Sequence, residues 1–208
     1  GKVWNPSVIP TNTPLDFFES RHGRGYSKYI GKKDGVSVSV IAFVGKENAL
    51  TYRLKVVSDH PADLEIYVAK EMGNMEYLRE MQWQCYTKQS NNIFYNKETD
   101  ALVYDYFIDA QARPLETPYV FLTSTLKSDS YTAIRKDFLG AYRDLSNPEA
   151  IEKGGCPNSE LLGGEGIFAF SYKLSLKKDE EKDFAIVLGT MDKKEDIPST
   201  IHRFKDLS

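Results

Sequence analysis

The sequence predicts a mainly all-β protein, a large antiparallel two-sheet β-sandwich with a few short helices. Three observations carry that expectation. Aromatic residues reach 12%, with thirteen Tyr and eleven Phe. Apolar and polar residues alternate in short runs, and polar clusters rich in Asp, Asn, Pro and Gly separate those runs. Strict alternation places every second side chain on one face of a strand, so each run reads as a strand with one face toward a core. About nine such runs, mostly joined by short polar turns, suit antiparallel sheets packed face to face.

The elements follow in chain order. Val36-Ser-Val-Ser-Val40 alternates without a break, as a half-buried strand does. In Tyr52-Arg-Leu-Lys-Val56 the cations take one face and the apolar residues the other. Leu64, Ile66 and Val68 form the next set after the Ser58–Asp63 cluster, and the pair reads as an antiparallel hairpin with Pro61 in its turn. Ile93–Asn96 and Leu102–Ile108 flank Lys97-Glu-Thr-Asp100, a second hairpin. Tyr119–Thr123 is a short buried strand. Across Ile167–Lys177, Phe168, Phe170, Tyr172, Leu174 and Leu176 share one face, and the charged Lys178–Lys182 turn leads into Phe184–Leu188. That pair reads as a long hairpin.

Helical signals are local. Asn147 reads as an N-cap, Pro148 as the first helical residue and Gly154 as the stop. Thr132–Leu139 reads as a helical turn ending at Gly140, and Met72–Tyr86 as an irregular segment with some helix. Ile197, Ile201 and Phe204 recur at helical spacing in the Asp196–Ser208 tail, predicting a short amphipathic helix.

Composition excludes several classes. The 208 residues carry 27 Lys+Arg against 30 Asp+Glu, a net charge of −3, with 41% hydrophobic residues, as in ordinary globular proteins. No run approaches the ~20 apolar residues that cross a bilayer, and no basic-then-apolar leader opens the chain. A cytoplasmic protein without membrane contact is therefore expected. Nucleic acid is not an expected partner, because phosphate contacts need clustered Lys and Arg. Cys85 and Cys156 with three scattered His residues offer neither a disulfide framework nor metal-ligand spacing, so no metal and no cofactor are expected.

Candidate chemistry is sparse. In Arg21-His-Gly-Arg-Gly-Tyr26 the glycines allow unusual backbone angles, while Arg21 and His22 suit an anionic or hydroxylated ligand; the plainer reading is a strand-entry turn. Gly154–Gly166 is glycine-rich but lacks the Gly-Lys-Ser/Thr ending of a phosphate loop and precedes a strand, so it reads as structural, with Cys156 inert. Trp4 and Trp83 suit sugar stacking, with core aromatics the commoner explanation. The many carboxylates read as solvated.

The order of motifs adds what single motifs lack. Trp4-Asn-Pro6, Pro14-Leu-Asp-Phe17, Arg21-His-Gly-x-Gly-Tyr26, Ala49-Leu-Thr-Tyr-Arg-Leu54, Phe138-Leu-Gly-Ala-Tyr-Arg143, Asn147-Pro-Glu-Ala150 and Leu188-Gly189 together resemble the cellobiose phosphorylase family, glycoside hydrolase family 94. The resemblance is patchy through residues 70–130 and good elsewhere. It implies a galactose mutarotase-like supersandwich over residues 1–190 and the start of a helical linker over 191–208, leading to an (α/α)6 catalytic barrel. Gly1 in place of Met implies, by the same resemblance, that the first strands are missing. The family performs inverting phosphorolysis: inorganic phosphate, the co-substrate, attacks the anomeric carbon while an aspartic acid protonates the glycosidic oxygen. That aspartate belongs to the barrel, so this chain alone is expected to be inactive and to hold no catalytic residue.

The resemblance also implies a homodimer and a loop lent to the disaccharide or oligosaccharide acceptor. That loop resembles Met81-Gln-Trp-Gln-Cys85, where Trp83 and Gln84 match the family's aromatic and glutamine. Gln82 stands for an asparagine, Cys85 for an arginine, and Arg24 for a hydrophobic residue. These departures leave open a different acceptor linkage, an oligosaccharide acceptor, or loss of the contact. The substrate-binding residues expected are Gln82, Trp83, Gln84, Arg21, His22 and Tyr26. Two alternatives stand beside this reading: a stand-alone carbohydrate-binding module using Trp83 or Trp4, and, ranked lowest, a mutarotase-type epimerase. The last would need a histidine in mid-strand, whereas His22, His60 and His202 read as turn, hairpin loop and tail.

Overall fold

A computed structural model describes residues 2–45, 49–73, 81, 88–106 and 118–205. Among these, twelve strands form two antiparallel sheets. They are β1 (Phe17–Gly23), β2 (Tyr26–Lys33), β3 (Val36–Val44), β4 (Leu50–Ser58), β5 (Ala62–Met72), β6 (Asn91–Asn96), β7 (Ala101–Tyr106), β8 (Tyr119–Ser124), β9 (Ser130–Ile134), β10 (Leu161–Leu162), β11 (Gly166–Leu176) and β12 (Glu181–Met191). Nine strands make one sheet in the order β1-β2-β3-β4-β12-β8-β7-β6-β10, and β5-β11-β9 make the other. The helices are α1 (Arg135–Leu139), α2 (Glu149–Lys153) and α3 (Ile197–Lys205). The two-sheet β-sandwich with a few short helices is therefore what forms.

The alternation in each strand explains the layers. Leu54, Val56, Phe184 and Ile186 on the large sheet meet Phe168, Phe170, Tyr172, Leu174 and Leu176 on the small one in a single core. Tyr172 and Phe184 touch across the interlayer space, with ring centroids 5.7 Å apart. The opposite face of the large sheet is also apolar at Val103, Phe121, Val187 and Met191, and α3 covers it with Ile197, Ile201 and Phe204. Gly189 leaves room there for the Phe121 ring, which a Cβ would meet at 2.5 Å. The outer face of the small sheet buries Ile167 and Ala169 under α1 and α2 through Phe138, Leu139 and Ala150.

Two expected hairpins are instead sheet crossings. β4 pairs with β3 and β12, whereas β5 pairs with β11 in the other sheet. β11 lies between β5 and β9, whereas β12 lies between β4 and β8. The physical reason is that the apolar faces of β11 and β12 are satisfied by facing each other across the core, not by lying side by side. Ile167 and Ala169 make β11 apolar on both faces near its start, so it becomes the central strand of the covered layer. The β6–β7 hairpin forms as expected, with Asn96 opposite Ala101.

Smaller differences follow the same logic. Thr132 and Ala133 lie in strand β9, and the helix begins only at Arg135. Pro148 takes the N-cap place one residue later than expected, while Gly154 ends α2 in the left-handed conformation at φ 73°. β1 and β2 extend the large sheet where a turn alone was expected. The expected Met72–Tyr86 segment lies mostly outside the described residues.

Candidate functional site

The Arg21–Tyr26 motif is the tip of the β1–β2 hairpin. Gly23 pairs with Tyr26, and Gly25 turns the chain at φ 80°, a left-handed angle that only glycine takes without strain. A Cβ on Gly23 would run into the Tyr26 ring, so that glycine exists to seat the tyrosine. Both glycines thus have local structural reasons, and the motif is the hairpin turn from which β2 begins.

Alternation splits the three expected binding residues. Arg21 and Tyr26 lie on one face, and His22 lies on the other. Arg21 donates through Nε to Glu19 Oε1, and this partner raises the guanidinium above its ordinary value. Tyr26 is 44% exposed, and Phe43 sits opposite it on β3. On the far face His22 bridges two hydroxyls, Nε2 to Ser20 Oγ at 3.0 Å and Nδ1 to Ser27 Oγ at 3.0 Å. The Tyr29 ring meets the imidazole edge-on, with centroids 6.0 Å apart. His22 therefore does sit on a sheet face, contrary to expectation. His60 hydrogen-bonds Asp59 at 2.7 Å in the crossing after β4, and His202 approaches Glu98 at 3.9 Å.

Gln82, Trp83 and Gln84, with Cys85, lie outside the described residues. The two feet of their segment are described, and the glycine-rich loop before β11 fastens both. On the outgoing foot, Met72 pairs with Gly166. On the returning foot, Gly164 N–H donates to Lys88 O at 2.6 Å, and Asn91 Nδ2 donates to Gly164 O at 2.7 Å. An ion relay spans the feet: Arg135 Nε to Glu71 Oε1 at 2.7 Å, Arg135 Nη1 to Glu165 Oε2 at 3.6 Å, and Lys88 Nζ to Glu165 Oε1 at 2.5 Å. Lys88 holds the Glu165 carboxyl below its ordinary range. The residue types of Gly163–Glu165 read as a structural loop; its clamping role needed the fold, because Arg135, Glu71 and Lys88 are distant in sequence.

The remaining candidates resolve as structural. Trp4 packs against the main core. Burial pushes the Cys156 thiol up to about 11, which removes thiolate at neutral pH. Among the described residues no three His, Cys, Asp or Glu side chains group to hold a metal ion, and no helix is long and apolar enough to cross a membrane. A surface cleft of about 520 Å³ lies between the end of β12 and α3, lined by Thr190, Asp192, Lys193, Asp196, Thr200 and Arg203.

Comparison with known proteins places this geometry. A protein-family model described as "Glycosyl hydrolase 94, supersandwich domain" matches residues 1–207. The solabiose phosphorylase of Paenibacillus borealis is 27% identical over 195 residues, covering 92% of this chain and 25% of that protein. The N,N'-diacetylchitobiose phosphorylase of Vibrio furnissii is 29% identical over 194 residues, covering 91% of this chain and 24% of that protein. The chain thus spans about a quarter of the length of the curated relatives it matches. A bacterial glucoamylase solved with acarbose shares the fold at a TM-score of 0.57 and 12% identity, over 91% of this chain and 26% of that one.

Proposed function

The chain belongs to the glycosyl hydrolase 94 supersandwich domain family, and from that premise we propose that it is the non-catalytic N-terminal part of a glycoside phosphorylase. The observation that carries the reading is the family match over residues 1–207 combined with coverage of only a quarter of phosphorylase relatives. In this reading a C-terminal (α/α)6 barrel of the same polypeptide holds the catalytic aspartate and binds inorganic phosphate. Residues 1–190 are the sandwich, and 191–208 begin the linker. The parent enzyme is a cytoplasmic homodimer that phosphorolyses a disaccharide or oligosaccharide β-glucoside to a sugar 1-phosphate.

The domain's contribution is to shape the acceptor side. Gln82, Trp83 and Gln84 bind the acceptor sugar, Trp83 by stacking and the two amides by hydrogen bonds to hydroxyls. Support comes from the residues that flank their segment, because Glu71 and Lys88 on its two sides are joined through Arg135 and Glu165 in one ion relay. Arg21 and Tyr26 reach a ligand on one face of the hairpin and His22 a ligand on the other. A single sugar lying flat on the sheet therefore engages one set or the other.

The test joins this chain to its barrel-bearing remainder. The isolated chain gives no turnover, and the full polypeptide releases sugar 1-phosphate from phosphate plus a β-linked disaccharide. Trp83→Ala and Gln84→Ala raise the acceptor KM in the synthetic direction by at least ~10-fold, the loss of about one good contact. No release across a broad disaccharide and oligosaccharide panel overturns the reading. Saccharide binding by the isolated chain that Trp83→Ala abolishes favours a stand-alone carbohydrate-binding module instead.

A further inference from the structure

Tyr142, between α1 and α2, combines two features that have separate physical causes. Its exposure is 107%, the highest among the large apolar side chains on the surface, so no described residue covers the ring. Its backbone is left-handed, at φ 60°. Seven described non-glycine residues take positive φ, and five of them are Asn or Asp, which tolerate that region. Val8 is the other exception, and it is half-buried. A left-handed backbone strains a residue with a bulky side chain, and such strain persists where the surrounding structure imposes it. No packing of the ring within the described residues offsets that strain.

The loop that carries the ring is held on both sides. Before it, Gly140 N–H donates to Lys136 O at 2.8 Å, and a Cβ on Gly140 would collide with Glu149 of α2. After it, Asp144 Oδ1 accepts from Ser146 N–H at 2.8 Å, and Leu145 packs on the cluster of Phe138 and Ala150. The neighbouring charges are already matched, Arg143 with Glu152 and Lys153 with Glu149. A bare aromatic ring inside a polar rim of paired charges is the anatomy of an interface anchor. α1, only about 7 Å long, starts at Arg135. Arg135 belongs to the ion relay that joins Glu71 to Lys88, so the ring stands on the same flank of the small sheet as that relay.

We propose that Tyr142 is the anchor by which this domain seats against the rest of its own polypeptide, the ring entering an apolar-walled recess that offers one acceptor to the phenol hydroxyl. The occupant follows from length, because this chain spans only a quarter of the phosphorylases it matches. A recess of strong charge is disfavoured by the matched rim. The proposal rests on the reading above for the presence of further polypeptide and not for the sugar chemistry.

Nitration by tetranitromethane, read by peptide mass on the full polypeptide, tests it. In the native state Tyr142 reacts at least ~10-fold more slowly than in denaturant, because only the opened contact admits the reagent. Tyr142→Gly separates an anchor from local strain. Glycine takes φ 60° freely, so loss of a ring without a partner leaves stability unchanged or raised. Loss of an anchor instead opens the contact roughly 30-fold, the worth of one interface hot spot, and Tyr142→Phe stays within ~3-fold of the parent. Native-state proteolysis between this domain and the remainder reads the opening, with matching circular dichroism to establish folding. A ring that nitrates at the denatured rate, or Tyr142→Gly at or above parental stability without added cleavage, overturns the anchor even where phosphorolysis is observed. Protection that disappears on dilution shows a second copy over the ring and overturns the occupant named here. Protection in a polypeptide that releases no sugar 1-phosphate upholds the anchor and overturns only the sugar chemistry of the reading above.

Discussion

Removing the Ile201 side chain tests whether α3 is part of the sandwich or a loosely attached connection. Ile201 is 0% exposed and Phe204 6%, and both pack on Val187, Phe121 and Met191 of the large sheet. Truncating a fully buried isoleucine to alanine costs the transfer free energy of its lost carbons plus the cavity left behind, about 3 kcal/mol within a usual range of 2–5. At this chain length each kcal/mol moves Tm by roughly 2–4 °C, so Ile201→Ala lowers Tm by roughly 6–12 °C. Phe204→Ala costs about as much or slightly more. The double variant falls short of the sum, because the two side chains share one cavity. Urea and thermal unfolding followed by circular dichroism measure the loss, with the exposed His202→Ala as a control expected within ~0.5 kcal/mol. A loss below ~1 kcal/mol for both core variants refutes the docking of α3. It would mean that the helix leaves the sheet freely and that the apolar face at Val187 is covered by something else.

Two further predictions concern the sheet itself. Arg53 Nη2 donates to Asp183 Oδ2 at 2.7 Å and holds the Asp183 carboxyl below its ordinary value of 3.8. A depressed carboxylate stabilises the fold above its unfolded pKa, and the contribution is lost as pH falls through the folded value. The pair is solvent-exposed, so Asp183→Asn costs less than ~1 kcal/mol at pH 7; the deficit is flat above about pH 5 and closes below about pH 4. A deficit that grows on acidification, read by urea unfolding at several pH values, contradicts the pairing. Gly189→Val, favourable by strand propensity, instead destabilises by about 2 kcal/mol because the new Cβ meets the buried Phe121 ring at 2.5 Å. Unchanged or increased stability in denaturant titration would show that β12 does not lie against β8 in this register.

β3 and β4 lie where alternation placed them, and β6, β7 and β8 where their short apolar runs did, although β7 and β8 are buried on both faces. β1 and β2 were not legible, because β1 is largely exposed and β2 half-buried along most of its length, and alternation needs one buried side to leave its mark. Periodicity also tells which face a residue takes and says nothing about which strand lies beside it. A polar turn of five residues can close a hairpin about 4.8 Å wide or step about 10 Å to the facing sheet. Hence Lys178–Lys182 looked like a hairpin turn and is an interlayer crossing. The site divides in the same way. The Arg21–Tyr26 turn was visible from its glycines, yet only register showed that Arg21 and Tyr26 turn away from His22.

Local sequence by itself determined the secondary structure of the last third, the helix spacing of Ile197, Ile201 and Phe204, and, through the order of its motifs, the family. Those are properties of residues close in the chain or of their order along it. Tertiary structure alone decided that β11 and β12 belong to different sheets, that α3 covers the second apolar face, and that Arg135, Glu71, Glu165 and Lys88 meet in one ion relay. Each of these depends on which apolar surface is left to be covered once the others have paired, and that is fixed by the whole core at once.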